Sequence, residues 1–401
     1  MEKYGVLPPP EGIRTYAGSR RALVSACAVG FAFSANYTNH APLVGVLSRE
    51  FTFNQTLAGL LTTGIFLTHA AMQVPGGNLV DKIGSRRVMI AALAVVAAGN
   101  FAIAFSSAYW QLLSWKIFTG IGTGTCFVAG ARYINEALAG PRVHFAQGLY
   151  GGSILLGSGF VILALPRVSG AIGWRGAFIV TAALATAAWI LWLAAPAPGE
   201  QRAHAAGRFR GMLLEPQLWL LGLVQMASFG LAIVVGAWII ALLGQKLGLP
   251  AAQAGMIGSL VLLLGILTRP IGGIAVKRAG VRRLLVASLL LNATGCFVLA
   301  SGSNGLAPAI AAVVLLGCGC GLPYAALFTR AATLFPGRAA AAMGLVNMLG
   351  ICMILAGAPL VGRVADWTGN FRSSFLALGI FSIFTCAASF LIHSDESAPS
   401  V

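Results

Sequence analysis

Charge is what this sequence has least of. Asp and Glu number 10 in 401 residues, and charged residues of both signs make up 9%, against roughly 25% in soluble domains. A chain so poor in charge cannot cover its own surface in water, so lipid must solvate much of it. The few acids avoid the apolar runs. Glu50, Asp81, Glu136 and Asp366 all fall at run ends, and no carboxylate relay through the membrane is visible. Metal and redox patterns are missing as well. The seven cysteines fall inside apolar runs with no histidine at ligand spacing, which makes them small buried hydrophobes rather than disulfides or metal ligands. No phosphate-cradling glycine loop follows a strand, which excludes an ATP-driven pump. No nucleophile–base pair indicates an enzyme, and no cofactor is expected. The first 21 residues are polar and carry Pro8, Pro9 and Pro10, so no cleavable leader is expected.

What is present is apolar. Hydrophobic residues make up 58% of the chain, and the mean hydropathy is +0.86. Spans of about 20 apolar residues are read near 22–47, 56–80, 88–107, 110–134, 145–166 and 174–194. A second set follows near 217–244, 252–276, 284–302, 306–334, 339–361 and 373–392. The polar stretch 195–216 reads as a linker between a bundle over 1–194 and a second over 217–401. The fold class is thus an all-α membrane protein of twelve helices. With the N-terminus inside, cytoplasmic segments hold 18 Lys and Arg and external ones only 6. That asymmetry predicts both termini in the cytoplasm, in a bacterial-type inner membrane. The net charge of +16 therefore reflects topology and gives no reason to expect nucleic acid as a partner.

The chain repeats itself. Gly76, Gly77, Asp81, Lys82, Gly84, Arg86 and Arg87 return 196 residues later as Gly272, Gly273, Lys277, Arg278, Gly280, Arg282 and Arg283. Gly120, Gly122 and Gly124 return as Gly317, Gly319 and Gly321, and Trp174-Arg175 as Phe371-Arg372. Ordered matches at one near-constant offset mark a duplicated six-helix unit.

The segment Gly77–Arg87, with Asp81, Gly84, Arg86 and Arg87, resembles the signature between helices 2 and 3 of the major facilitator superfamily. Lys116 and Gly120 resemble a weaker helix 4 motif that usually carries Arg at the lysine position. The resemblance implies two six-helix bundles and transport by alternating access. It also implies a conformational latch at Asp81, with Gly77, Arg86 and Arg87 around it, acting near the start of helix 11. Where Asp would recur, the second copy has Lys277.

A charge inside a span costs about 2.5–3.5 kcal/mol at its centre, so Arg269 needs a reason. It lies about 12 Å up its helix from Lys277, at roughly 1.5 Å per residue, near the midplane. Its repeat mate is Gln73, at the same depth in helix 2. An unpaired guanidinium there is a forked donor for an oxyanion. Arg269-Pro270 followed by Gly272-Gly273 resembles helix 8 of the nitrate/nitrite porters. More loosely it resembles helix 8 of the monocarboxylate and oxalate/formate transporters. Gln73 stands where nitrate porters carry a second arginine, and a single charge suits a small monovalent anion. Further substrate candidates are Asn36, Tyr37 and His40 in helix 1, Lys116 in helix 4, Tyr324 in helix 10 and Asn347 in helix 11. His69, one turn from Gln73, and His40 are candidates for proton coupling, with anion exchange as the other driving reaction. A monomer in lipid, binding a small anion, is expected. A multidrug or metabolite exporter of the same fold is the alternative. It is disfavoured by a helix 1 without acid and by Pro166 standing alone in helix 5.

Overall fold

In the computed structural model, residues 16–137, 142–197, 213–302, 305–335 and 339–393 are described, and they are almost entirely helical. An apolar chain in lipid has to satisfy its backbone groups within each segment, which helices do. The first half holds α1 (Tyr16–Thr38), α2 (Gln55–Ala71 continued by Gln73–Ile83), α3 (Ser85–Ile103) and α4 (Tyr109–Ala137). A continuous stretch Arg142–Leu193 then breaks at Gly173 into α5 and α6. The second half holds α7 (Pro216–Leu247), α8 (Ala251–Gly258 continued by Leu260–Ala279) and α9 (Val281–Ala300). It ends with α10 (Leu306–Gly321 continued by Tyr324–Leu334), α11 (Ala339–Thr368) and α12 (Arg372–Ser389). Among the described residues, nine stretches are long and apolar enough to cross a membrane, one of them being α5 and α6 together.

The duplication is visible in the backbone. Gly84 (φ 89°) ends α2 and its repeat mate Gly280 (φ 80°) ends α8. Gly173 (φ 76°) separates α5 from α6, as Gly369 (φ 73°) separates α11 from α12. Such φ values are open to glycine at little cost, so the repeated glycines mark repeated turns.

Two interruptions position side chains. In α7, Met226–Gly230 form a π turn. It is secured by Asn292, whose Nδ2 donates to the Ala227 carbonyl at 2.8 Å, and by Ser228, whose Oγ donates to the Cys320 carbonyl at 2.6 Å. In α10, Leu322-Pro323 divides the helix, and Tyr324 opens the second segment.

The halves meet along two seams. In the first, α2 and α11 run antiparallel. Thr63 Oγ1 donates to the Leu355 carbonyl at 2.9 Å, and a methyl on Gly59 would stand 2.6 Å from the Ala358 oxygen and the Pro359 Cα. The seam ends at Asp366, which accepts from the backbone N–H groups of Gln55 (2.9 Å) and Thr56 (2.8 Å). In the second seam, α5 lies on α8, with Gly159 against Leu263 and Gly255 against the Ile162 carbonyl. Both contacts belong to the end of the molecule that bears Asp366. Toward the Asp81 end, methyls on Gly148 and Gly152 of α5 and on Gly344 of α11 would meet nothing within 4 Å. The halves are joined at the Asp366 face, while at the Asp81 face these three described positions border open space.

Four of the cysteines (Cys126, Cys296, Cys320 and Cys386) are buried, as their apolar settings suggest, whereas Cys352 is exposed; all seven are free thiols.

Candidate functional site

Arg269 sits in α8 between the halves. Its Nη1 donates to the Gly151 carbonyl of α5 at 3.1 Å. Its Cζ lies 3.9 Å from the ring centroid of Tyr324, a cation–π contact that steadies the guanidinium at its face. Its Nε is buried with no hydrogen-bond partner. Among the described residues no carboxylate pairs with it. A cavity with room for about one water borders it, lined by Leu155, Phe229, Val261, Gly265 and Cys320.

Tyr324 reaches this position because α10 restarts after Pro323, which lacks a backbone N–H to continue the first segment. α8 and α10 approach closely at the same level: a methyl on Gly272 would strike the Leu322 carbonyl, and one on Gly321 the Thr268 hydroxyl. The repeated glycines of the sequence are thus what lets α10 bring Tyr324 under the arginine.

From the other half, Tyr37 near the end of α1 is 2% exposed. Its ring packs on Phe66 at 4.9 Å and meets His69 edge-on at 5.8 Å. His69 is 4% exposed. Its Nδ1 pairs with Thr123 Oγ1 of α4 at 3.0 Å, and Phe66 and Phe127 flank the ring. Gln73, one turn further, opens the second segment of α2. Its Nε2 is buried and unpartnered. The structure therefore brings Arg269 and Tyr324 together and sets His69 beside Tyr37. It leaves two donor groups unspent, one on Arg269 and one on Gln73.

Other candidates are held elsewhere. Lys116, read as a second attractive charge, is 1% exposed and turned into the first bundle. Its Nζ donates to the Asn36 carbonyl at 3.0 Å and to Asn39 Oδ1, and lies 5.6 Å from the Phe178 ring centroid. A buried ammonium needs acceptors, and α1 supplies them. Asn36 uses its amide on the carbonyls of Ala32 (2.8 Å) and Thr181 (2.9 Å). Asn39 reaches Asn100 and Thr181. These groups tie α1, α3, α4 and α6 together, and Asn36 Oδ1 is left buried without a partner. His40, past the end of α1, pairs through Nε2 with Thr62 at 2.8 Å. Asn347 accepts from Gln225 of α7 at 3.5 Å within the second half.

In the signature segment, Gly77 packs against Val128 of α4. Arg86 donates to the carbonyls of Leu193 (2.6 Å) and Ala195 (3.1 Å). It satisfies the C-terminal end of α6 and stays within its own half. Arg87 is exposed. The Asp81 backbone lies in the last turns of α2, while its side chain and that of Lys277 lie outside the described residues.

Sequence reasoning missed Gly151, a backbone acceptor with no side chain to signal it. It also noted Asp366 only as an acid at a helix end, since its partners lie more than 300 residues away.

Two duplicated helical bundles with a buried arginine between them are the architecture of a membrane transporter family. The chain belongs to the Major Facilitator Superfamily, whose model matches residues 26–240 and 218–401. It is 24% identical over 366 residues to the probable nitrate/nitrite antiporter NarK1 of Thermus thermophilus, covering 83% of this chain and 82% of that one. It is likewise 24% identical over 389 residues to the probable sulfoacetate transporter SauU of Cupriavidus necator, covering 89% of each. Among solved structures it is similar to a bacterial homolog of the human lysosomal transporter Spinster, in an inward-facing and unoccupied conformation. There the TM-score is 0.77 at 16% identity, with 94% of this chain and 98% of that chain covered.

Proposed function

We propose that this transporter carries a small, monovalent oxyanion, an inorganic ion such as nitrate or nitrite or a small monocarboxylate, held by Arg269 with Gln73 opposite. The observation that carries this reading is the Arg269 guanidinium. One of its N–H groups is spent on Gly151, its face rests on Tyr324, and its Nε is unpartnered beside a cavity. A half-buried guanidinium without a carboxylate among the described residues gains most from an anion that accepts two parallel hydrogen bonds. The two relatives named above, a nitrate/nitrite antiporter and a sulfoacetate transporter by name, support an anionic cargo.

The carrier works by alternating access from the bacterial inner membrane as a monomer, with the Asp81 face and both termini in the cytoplasm. Residues 1–194 and 217–401 then rock about the site, and 195–216 connects them. The joined Asp366 face makes this conformation open to the cytoplasm. The cycle is either exchange of two anions or symport with a proton, with His69 and His40 the titratable groups of the first half.

The test is a thermal-shift screen of nitrate, nitrite, formate and lactate on the purified protein, since a bound ligand stabilises the folded state. At least one anion is expected to raise Tm in the native chain, and none in the Arg269→Ala variant. A screen silent for anions but responsive to hydrophobic cations would move the assignment to an exporter.

A further inference from the structure

We infer that Asp366 is the gate carboxylate of its face: an acid from one half that closes the membrane path by capping a helix of the other. The inference rests on the alternating-access reading and is independent of which anion is carried.

The first turn of a helix leaves N–H groups without intrahelical acceptors. In α2, Asn54 satisfies only one of them, accepting from Leu57 N at 3.0 Å. The next two, on Gln55 and Thr56, donate to Asp366 from α11. Thr56 Oγ1 donates to the same carboxylate at 2.5 Å. A negative charge at a helix N-terminus is favoured by both the free donors and the helix dipole. Here the donors and the charge come from different halves, so the contact exists only while the halves touch.

The rest of the seam agrees. From Asp366 inward, the Gln55 carbonyl faces Gly362, Gly59 faces Ala358, and Thr63 bonds the Leu355 carbonyl. Trp238 of α7 donates to the Ala358 carbonyl at 3.0 Å, bracing α11 from behind. Rocking the halves apart at this face strips the two α2 N–H groups of their acceptor and returns all three donors to water. Asp366 thus favours the state that is open on the opposite face, and its loss releases the seam toward the state open on its own.

The experiment reads accessibility and needs no substrate. Thr63→Cys places a thiol inside the closed seam, and an impermeant maleimide is applied to right-side-out and to inverted membrane vesicles. Labelling of the added thiol is scored above that of the chain without it. Asp366→Asn is expected to speed labelling about 5- to 10-fold, the lower range of a site-to-site coupling. The increase is expected only in right-side-out vesicles, with Asp366→Glu restoring slow labelling. An unchanged rate, or an equal rise in both vesicle orientations, overturns the inference. If Asp366→Asn does not accumulate in membranes, the measurement passes to Thr56→Val, which deletes one donor and keeps the carboxylate. Its labelling must then rise by a smaller factor, and an unchanged rate is equally decisive. A failed anion screen leaves this test intact.

Discussion

Arg269 of α8 donates to the backbone carbonyl of Gly151 in α5, so the charge at the centre of the molecule is also a bond between its halves. In the proposed function an anion arriving at Arg269 competes with or shares that bond, which would link occupancy of the site to the contact between α5 and α8. Replacing Arg269 by Lys keeps a charge but loses the fork and the planar stack. Arg269→Lys and Arg269→Ala are both expected to abolish uptake of the anion found in the screen, with normal amounts of protein in the membrane. Uptake that persists unchanged in either variant would remove Arg269 from the site.

The Tyr324 ring under the guanidinium gives a graded prediction. Tyr324→Ala is expected to weaken anion binding by about 2- to 30-fold, the range of one cation–π contact. Tyr324→Phe retains the face and is expected to bind nearly as the native chain does. Isothermal titration of the two variants separates the ring from its hydroxyl.

Gln73 carries a buried, unpartnered donor, which the proposed site sets opposite Arg269. Gln73→Glu puts a carboxylate in its place, which competes with the substrate for the guanidinium. Anion-induced thermal stabilisation is expected to disappear in this variant, whereas Gln73→Asn only weakens it. Retained stabilisation in Gln73→Glu would mean that the two residues do not share a site.

Lys116 is expected to behave oppositely. Lys116→Met leaves the Asn39 carbonyl and the Asn36 backbone oxygen without their donor, at about 1–3 kcal/mol for each orphaned group. Tm should fall while the dissociation constant of the anion, measured on the folded fraction, stays within about twofold, well under the 1.4 kcal/mol of a tenfold change.

Gly148, Gly152 and Gly344 border open space at the Asp81 face. Leucine at any of them is expected to leave Tm unchanged and to stop transport, because the side chain fits this conformation and obstructs its opposite. A drop in Tm without loss of transport would mean that the face does not close there.

The all-helical fold and the duplication were legible in the sequence because hydropathy and glycine spacing are local signals. Gly84 and Gly280 could be paired by eye, and the structure adds the positive φ that makes each a glycine. The pair Arg269 and Tyr324 was within reach, since a charge and an aromatic ring at mid-span both need explaining. The site's other features were not. Lys116 looked the same as Arg269 by burial cost alone, and only the acceptors at Asn36 and Asn39 set its ammonium apart from the proposed anion-binding guanidinium. Asp366 and the first turn of α2 are joined by two main-chain donors and the Thr56 hydroxyl, and since every residue but proline carries a main-chain donor, composition does not announce the pair.

The tight seam at Gly59 has a genetic consequence. Its neighbours there are the Ala358 oxygen and the Pro359 Cα, backbone atoms that no substitution can shorten. A larger residue at position 59 therefore has no local suppressor in the facing helix. Revertants of Gly59→Ala should map to the original codon, or to distant positions that reset how the two halves lean on each other.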